Sequence, residues 1–181
     1  MKLALAITGA SGIRLSMRFI ENLPSSIDLY VCASKNAEIV SLCEEKKAKL
    51  YDNADIAAAI SSGSFGVDAT AIIPCSMNSL AKIACGIADT LPTRIAAVAL
   101  KERKPLLLAP REMPFSTIAL ENMHKLSLMG VVISPPTMAY YSEADTLEKM
   151  EDFLIGKWYD TLDIQHQLYQ RWSDNNHKEH L

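Results

Sequence analysis

The sequence is short of cysteine and histidine, has no surplus of positive charge and contains no long apolar run. Its 18 lysines and arginines are outnumbered by 21 acidic residues, giving a net charge of -3, whereas nucleic-acid-binding domains usually carry a basic surplus. No uninterrupted apolar run approaches the roughly 20 residues that span a bilayer as a helix. The residues before Gly9 also lack the apolar core and cleavage site of a signal peptide. We therefore expect a cytoplasmic protein that binds neither nucleic acid nor a membrane.

The four cysteines and four histidines form no pattern typical of a metal site. None of the cysteines belongs to a CxxC pair, and no histidine lies near one in sequence. The sequence also has no HExxH motif, no carboxylate cluster with metal-ligand spacing and no triad-like pairing of a histidine with serine or cysteine. We predict no catalytic metal, and we interpret the cysteines as reduced core thiols.

The apolar content is, by contrast, sufficient for a sizeable core. Hydrophobic residues make up 49% of the 181 residues and charged residues 22%, a balance typical of one globular domain. Short apolar runs alternate with helical patterns along the chain. The predicted strands cover residues 3–7, 27–32, 68–74, 106–109 and 131–134. The first predicted helix ends near residue 22, and the others cover residues 36–45, 76–85, 91–103, 115–129 and 147–162.

This alternation of strands and helices predicts a single-domain α/β fold. We expect a Rossmann-like (flavodoxin-like) three-layer sandwich, whose mainly parallel sheet is covered by helices on both faces. The domain is predicted over residues 1–164, and the polar stretch 165–181 is expected to form a C-terminal tail or an inter-subunit arm. Ligands bind such sheets at the carboxyl ends of the strands, so the turns that follow the strands form the candidate site.

Small polar and charged residues follow three of the predicted strands. Gly9 and Gly12 lie in the first turn, where the backbone can approach a ligand and the next helix offers N–H groups to an anion, although a plain tight turn explains them equally well. Ser76 begins a polar run after the third strand and suits a helix N-cap as well as a ligand contact. Arg111 and Glu112 follow the fourth strand, where a charged pair flanked by prolines is harder to explain as solvated surface.

Three further segments leave their roles open. The run SSGSF at 61–65 could form a phosphate-binding nest or a flexible surface loop. The charged run at 101–104 is typical of a solvated helix end. The proline-rich turn with two aromatic residues at 134–141 could close over a planar ligand or simply pack against the domain.

Taken together, these segments resemble the UbiX-type flavin prenyltransferases (the UbiX/Pad family). The matching stretches are TGASG at 8–12, ASK at 33–35, SGSF at 62–65, PCSMNSLAKIACGIADTLPTR at 74–94, ALKERKPLLLAPREMPFSTIALENMHKLSLMG at 99–130 and PPTMAYY at 135–141. The resemblance spans nearly the whole chain, and ALKERKPLLLAPRE is its most specific part. It implies transfer of a dimethylallyl group from dimethylallyl monophosphate to N5 and C6 of reduced FMN, which makes prenylated FMN for a UbiD-type decarboxylase. It also implies a homo-oligomer, a dodecamer, with sites at the subunit interfaces.

The resemblance assigns roles to individual residues. Those expected near the reacting atoms are Ser11, Glu44 and Glu112. Those expected to bind FMN are Gly9, Ala10, Ser11, Ser34, Ser76, Met77, Asn78, Ser79, Arg94 and Arg111. Those expected around the prenyl phosphate and its pocket are Lys101, Arg111, Tyr141, Lys157 and Trp172. Cations around the phosphate would stabilise the charge that develops as the C–O bond breaks.

One residue, Lys157, and one stretch, residues 13–16, depart from the family pattern. Lys157 stands where many relatives have arginine, so it keeps the charge but loses the two-pronged guanidinium contact with phosphate. Residues 13–16 are bulkier and more basic than the small residues expected after GASG, which puts the shape of the flavin edge in question.

Two alternative functions remain open at this point. A phosphopantothenoylcysteine-decarboxylase-like flavoprotein would rely on a histidine in the first half of the chain, but the first histidine here is His124. A non-catalytic FMN-binding carrier would not need so many charged groups beside the flavin. The sequence is compatible with either a monophosphate or a diphosphate donor.

Overall fold

The computed structural model describes residues 1–9, 12–34, 36–142 and 144–171, with Tyr141 described by its backbone alone. In these residues, six parallel strands form one sheet. The strands are β1 (Lys2–Ala6), β2 (Asp28–Cys32), β3 (Lys49–Tyr51), β4 (Ala69–Cys75), β5 (Leu106–Pro110) and β6 (Val132–Ile133). The helices are α1 (Ile13–Glu21), α2 (Ala37–Glu45), α3 (Met77–Ala84), α4 (Leu91–Lys101), α5 (Thr117–Leu128) and α6 (Leu147–Thr161). Single 3₁₀ turns cover Ala59–Ser61, Gly63–Phe65 and Tyr140–Ser142. The strand order in the sheet is β3-β2-β1-β4-β5-β6.

The predicted α/β fold with a parallel sheet is confirmed. β4 and β5 are buried along their whole length, as continuous apolar strands are when helices cover both faces of a sheet. The sheet separates two cores. One contains Phe19, Trp158 and Tyr159 beneath α1 and α6, and the other contains Leu80 and Leu126 beneath α3 and α5. Within the described ranges, no helix combines the length and apolar character needed to cross a membrane.

The edge strand β3 is an element that the sequence patterns did not predict. It has only three residues, of which Lys49 is exposed and the other two are half-buried. Its position comes from pairing with β2, where Lys49 lies opposite Tyr30. Short, charged edge strands are common because they discourage pairing with other chains, and they lack the apolar run by which the other strands were predicted.

The order of the strands reverses at β1, and this reversal locates the candidate site. β1 pairs with β2 on one side and with β4 on the other. Connections therefore leave β1 and β4 in opposite directions, which opens a crevice at the carboxyl ends of these two strands. The turns after β1 and β4 border that crevice.

The bulky, basic start of α1 is explained by its packing against α6. Glu151 of α6 is 7% exposed, and its carboxylate pairs with Arg14 Nε at 3.1 Å and with Arg18 Nε at 3.3 Å. Arg14 also reaches Glu148 at 2.9 Å. A carboxylate is costly to bury unless cations pair with it, so these arginines hold the two helices together.

Three of the four cysteines lie in the core as expected, and the fourth does not. Cys32, Cys43 and Cys75 are buried free thiols, whereas Cys85 is exposed at the end of α3. Burial raises the pKa of Cys32 and Cys75 to about 12 and that of Cys43 to about 11. These three thiols therefore stay protonated at neutral pH, and the interpretation as a core thiol is wrong for Cys85.

The first prediction concerns Ser16, which is completely buried in α1 and donates a hydrogen bond from its Oγ to the Ile73 carbonyl oxygen at 2.6 Å. We expect Ser16→Ala to lower the free energy of unfolding by about 1–3 kcal/mol, because the buried carbonyl loses its partner. Ser127→Ala is the matched control, since Ser127 is exposed and bonds a carbonyl of its own helix at 2.8 Å. Urea unfolding measures both variants. Equal losses in the two would show that the Ser16 hydroxyl has no special role.

Candidate functional site

Thr8 joins the two turns that border the crevice. Its Oγ1 accepts a hydrogen bond from the Ser76 backbone N–H at 2.9 Å and donates one to the Pro74 carbonyl oxygen at 3.2 Å. Its backbone N–H donates to the same Pro74 oxygen at 3.2 Å. The turn after β1 is therefore fixed against the start of α3, and the crevice between β1 and β4 has a defined floor.

The start of α1 lies against the side chain of Arg111. Gly12, the N-cap of α1, has a φ of 100° and offers no side chain to cap the helix. A Cβ at this position would lie 3.3 Å from Cδ of Arg111 and 3.5 Å from Cγ of Pro74. Arg111, in the turn after β5, thus reaches past the end of β4. A helix N-terminus beside a guanidinium is a favourable site for an anion.

The start of α3 forms the second wall of the crevice. The Ser76 Oγ accepts from the Ser79 backbone N–H at 3.1 Å and donates to the Ser79 Oγ at 2.9 Å. Ser79 is 9% exposed, Ser76 and Met77 are half-buried, and Asn78 is exposed. Capping explains the position of Ser76, while Asn78 is exposed at the same helix end.

A groove extends from the crevice towards β2 and β3. Ser34 is exposed after β2, and its Oγ accepts a hydrogen bond from Asn53 Nδ2 at 3.3 Å. The groove is lined by Ile7, Thr8, Gly9, Ile13, Ala33, Ser34, Asn36, Ile39 and Asn53. Three isoleucines and a few convergent polar groups are typical of a pocket for a small organic ligand.

Asn53 is a candidate site residue that sequence reasoning missed. It lies just after β3, accepts a hydrogen bond on its Oδ1 from the Cys32 thiol at 3.0 Å, and accepts another on its carbonyl oxygen from the Leu91 N–H at 2.8 Å. These contacts join β2, β3 and α4 at the edge of the groove. No local pattern points to Asn53, because its strand was itself not predicted.

Glu112 lies beside Arg111 but is not buried. Its side chain is exposed, and its Oε1 accepts a hydrogen bond from the Met113 backbone N–H at 3.1 Å. The expectation that the charged pair Arg111 and Glu112 is not solvated surface is therefore wrong for a single chain, in which both residues are exposed. Glu112 lies at the rim of the crevice, next to the candidate anion site formed by the start of α1 and Arg111. Its role near the reacting atoms stays a prediction.

Arg94 and Lys101 lie on a different surface from Arg111. Lys101 is the last residue of α4, and the chain then leads directly into β5. Lys101 therefore lies near the amino end of β5, whereas Arg111 follows its carboxyl end, at the opposite edge of the sheet. Its Nζ pairs with Glu102 at 2.7 Å, and its side chain is 67% exposed. Both cations line a shallow surface, here called the α4 surface, made of Ser61, Ser62, Gly63, Arg94, Ala97, Val98 and Lys101. The run SSGSF belongs in part to this surface, where Gly63 contacts Glu102 too closely to accept a Cβ.

Neither Glu44 nor Lys157 lines the groove beside the crevice. Glu44 is exposed near the end of α2, eight residues beyond its N-cap Asn36, which corresponds to about 12 Å along a helix. Lys157 is 54% exposed on α6, where its Nζ lies 3.8 Å from Asp160 and 6.0 Å from the ring centre of Tyr169. Their assigned roles also remain predictions.

Four of the predicted site residues cannot be placed in full. Ala10, Ser11 and Trp172 lie outside the described residues, as does the side chain of Tyr141, whose backbone belongs to the turn Tyr140–Ser142. Among the described residues, no group of three or more His, Cys, Asp and Glu side chains could hold a metal ion. The described part of the site therefore consists of a candidate anion site, formed by the start of α1 and Arg111, beside a mainly apolar groove.

Comparisons with known proteins identify relatives of this arrangement. A model of the Flavoprotein family matches residues 1–171. The flavin prenyltransferase UbiX of Helicobacter pylori strain J99 is 50% identical, with 97% of this chain and 100% of the relative covered. Among solved structures, a dodecameric FMN-dependent UbiX-like decarboxylase from Escherichia coli O157:H7 has a TM-score of 0.87, 37% identity and coverage of 96% and 100%. AnUbiX (PadA1), in complex with FMN and dimethylallyl pyrophosphate, has a TM-score of 0.88, 35% identity and coverage of 95% and 97%.

The second prediction tests the hydrogen bonds of Thr8. We expect Thr8→Val to lower the free energy of unfolding by about 2 kcal/mol, because the Ser76 N–H loses its acceptor and the Pro74 carbonyl loses one donor. Thr8→Ser should restore most of the loss, since it returns the hydroxyl without the methyl group. Chemical denaturation of the three proteins provides the measurement. If serine is no better than valine, the methyl group and not the hydroxyl holds the two turns together.

Proposed function

This chain belongs to the Flavoprotein family and, within it, to the UbiX flavin prenyltransferases, and we propose that it prenylates reduced FMN at a site completed by a second copy of the chain. Flavin prenyl transfer with FMN is the activity of the family. The proposal adds which residues of this chain carry it and how they are divided between copies. A relative at 50% identity is a flavin prenyltransferase, which favours prenyl transfer over the decarboxylase-like alternative.

The observation that carries the proposal is the contact between Gly12 and Arg111 at the reversal of strand order. The side chain of Arg111 lies beside the uncapped start of α1, since a Cβ on Gly12 would be 3.3 Å from its Cδ. A phosphate group suits both partners, since backbone N–H groups and guanidinium N–H groups donate to its oxygens. The adjoining groove, with Ser34 and Asn53 at its rim, then has the apolar walls that suit the flavin ring.

The α4 surface supports the division of the site between copies. Arg94 and Lys101 are predicted to bind FMN or the prenyl phosphate, yet both line the α4 surface, and Lys101 lies at the edge of the sheet opposite to Arg111. A second copy that applied its α4 surface to the crevice would bring these cations to the anion. Contacts between two different surfaces generate closed assemblies when their rotation closes, and a relative from Escherichia coli is dodecameric.

The chain's own residues then have separable tasks. Arg111 and the start of α1 hold phosphate, while Arg94 and Lys101 stabilise the negative charge that grows on the leaving phosphate as the C–O bond breaks. Glu112, at the rim, orients the reacting groups as a carboxylate. Reduced FMN would supply the nucleophilic positions N5 and C6. The apolar groove keeps water away from the allylic carbon, with Trp172 and Tyr141 proposed to complete the cover.

The donor and the recipient of the product complete the proposal. The proposed donor is dimethylallyl monophosphate, and because AnUbiX was solved with dimethylallyl pyrophosphate, assays should compare the two. The proposed recipient of prenylated FMN is a UbiD-type decarboxylase. Incubation of the protein with reduced FMN and each donor, followed by flavin absorbance, tests the core activity. An unchanged spectrum with tight FMN binding would favour a carrier instead.

The third prediction tests the division of the site. We expect Glu112→Gln and Lys101→Ala to abolish most adduct formation when each is expressed alone, with FMN binding retained by Glu112→Gln. Co-expression of the two variants should restore activity, because some sites will combine an intact crevice with an intact α4 surface. Random mixing of equal amounts gives about a quarter of wild-type sites if crevice and surface come from different copies.

Lys104→Ala serves as the matched control for Lys101→Ala. Lys104 is also exposed and follows α4, but it lies outside the α4 surface, so we expect nearly normal activity. Single-turnover adduct formation in purified mixed oligomers is the measurement. Activity that stays near zero in the mixtures would mean that one chain supplies both residues, and it would refute the shared site.

The fourth prediction concerns Lys157. If it contacts the prenyl phosphate, Lys157→Ala should weaken dimethylallyl monophosphate binding roughly tenfold or more and leave FMN affinity nearly unchanged, since a charge-assisted contact contributes about 1.5–3 kcal/mol. Lys157→Arg should be tolerated because a guanidinium suits phosphate. Lys149→Ala is the control, being 61% exposed on the same helix and paired with Asp145 at 2.6 Å. Titration of both ligands decides: an alanine variant with unaltered prenyl phosphate affinity removes Lys157 from the site.

A further inference from the structure

Helix α5 leaves large aliphatic side chains in solvent. It packs on α3 and on the edge strand β6, so it lies at one border of the sheet. Its buried residues are Ala119 and Leu126, whereas Ile118 is 71% exposed and Leu128 is 75% exposed. The outer face of a helix on a globular domain is normally polar, so these two side chains mark a face that a single chain does not cover.

The two exposed aliphatic residues enclose two opposite charges. The four residues of this face, here called the α5 stripe, are Ile118, Glu121, Lys125 and Leu128. They follow one another at spacings of three, four and three residues, and all four are exposed. At about 100° per residue they lie within roughly 80° of the helix circumference, over a length of about 15 Å. The stripe is therefore one continuous face.

The two charges of the stripe have no partner in their own chain. Glu121 and Lys125 are four residues apart on one helix, a spacing at which such side chains can pair. Within the described part of the chain, however, neither of them forms an ion pair. The stripe also belongs neither to the groove beside the crevice nor to the α4 surface. Both charges can therefore bind groups from another molecule.

The order of residues in the stripe is complementary to itself. If a second copy of α5 is laid antiparallel on the first about a two-fold axis, Glu121 of each copy comes opposite Lys125 of the other. The same rotation brings Ile118 opposite Leu128, so apolar contacts flank the two ion pairs. A two-fold interface requires this reciprocity, in which one residue contacts a second and the second contacts the first. The pattern thus selects a second copy of this chain as the partner.

We propose that the α5 stripe is a two-fold contact, at which α5 packs antiparallel against α5 of a second copy. The inference rests on the assembly in the proposed function and adds a different contact to it. The crevice and the α4 surface are unlike surfaces, so contacts between them generate rings, and the stripe would join one ring to another. A single helix pair of this length is smaller than a standard interface of roughly 1,600 Å², so we expect several pairs to act together.

Charge reversal in the full-length protein tests the contact. Glu121→Lys places two lysines opposite each other twice in every two-fold pair, and Lys125→Glu does the same with two carboxylates. Because like charges at an interface are strongly unfavourable, we expect each variant to weaken this association on the order of tenfold or more. Sedimentation velocity should show the mass of the assembly falling to half or less of the wild-type mass.

Mixing the two variants tests the antiparallel arrangement itself. In a mixed pair, both lysines of the Glu121→Lys copy face both carboxylates of the Lys125→Glu copy, so an equal mixture should regain the wild-type mass. The double variant Glu121→Lys/Lys125→Glu should also assemble normally, because the exchange preserves the reciprocal pairing. Recovery in both cases excludes misfolding of the single variants.

Two matched controls separate the stripe from general surface effects. Glu45→Lys makes the same charge change as Glu121→Lys at the exposed end of α2, and it should leave the mass unchanged. Leu128→Ser should lower the mass, because it removes the apolar contact with Ile118 of the other copy. Leu147→Ser is its control, since Leu147 is 51% exposed at the start of α6 and should have no effect.

The outcomes distinguish this inference from the proposed function. Single reversals that keep the wild-type mass, a mixture that does not recover, or a monomeric wild type would overturn the two-fold contact. Adduct formation from reduced FMN and dimethylallyl monophosphate should continue in the single variants, because the crevice and the α4 surface of each ring are unchanged. Failure of the wild type to form adduct would overturn the proposed function, while the sedimentation results would still decide on the α5 stripe.

Discussion

The hydrogen bonds of Thr8 form the constraint on which the rest of the candidate site depends. A parallel sheet whose strand order reverses must open at its carboxyl edge, and only a contact between the two diverging turns gives that opening a fixed width. Thr8 supplies it by binding both Pro74 and Ser76. The start of α1 and the start of α3 are then held at a set distance, so the helix N-terminus at Gly12 and the side chain of Arg111 can face one anion.

The distribution of positive charge within one chain agrees with the proposed division of the site between copies. Crowding Arg94 and Lys101 around Arg111 in the absence of phosphate would place like charges together and destabilise the folded monomer. In this chain, Lys101 instead pairs with Glu102 at 2.7 Å on an exposed helix face. In the proposed shared site, the cations would come together only when the assembly forms, and the phosphate of FMN or of the donor would neutralise them.

The parts of the fold and site that could be predicted from sequence are those encoded locally. The buried strands β4 and β5 are continuous apolar runs, and Ser76 is a helix cap that its neighbours specify, so both were predictable. β3 and Asn53 were not, because their places are set by pairing with a strand and a helix that are distant in sequence. The exposure of Glu112 was misjudged for the same reason: burial depends on what other elements cover a residue. The family resemblance supplied residue roles and implied sites at subunit interfaces, but it did not indicate that Lys101 and Arg111 lie at opposite edges of the sheet within one chain.

Helix α6 connects α1 to residues 165–171. Near its start, the buried Glu151 binds Arg14 and Arg18 of α1, the helix whose N-terminus borders the anion site. Near its end, Asp160 binds His166 and Arg171. The two carboxylates are nine residues apart, which is about 14 Å along a helix, and a helix of this length does not stretch between them. The position of residues 165–171 relative to the start of α1 is therefore set by charged contacts near both ends of a single helix.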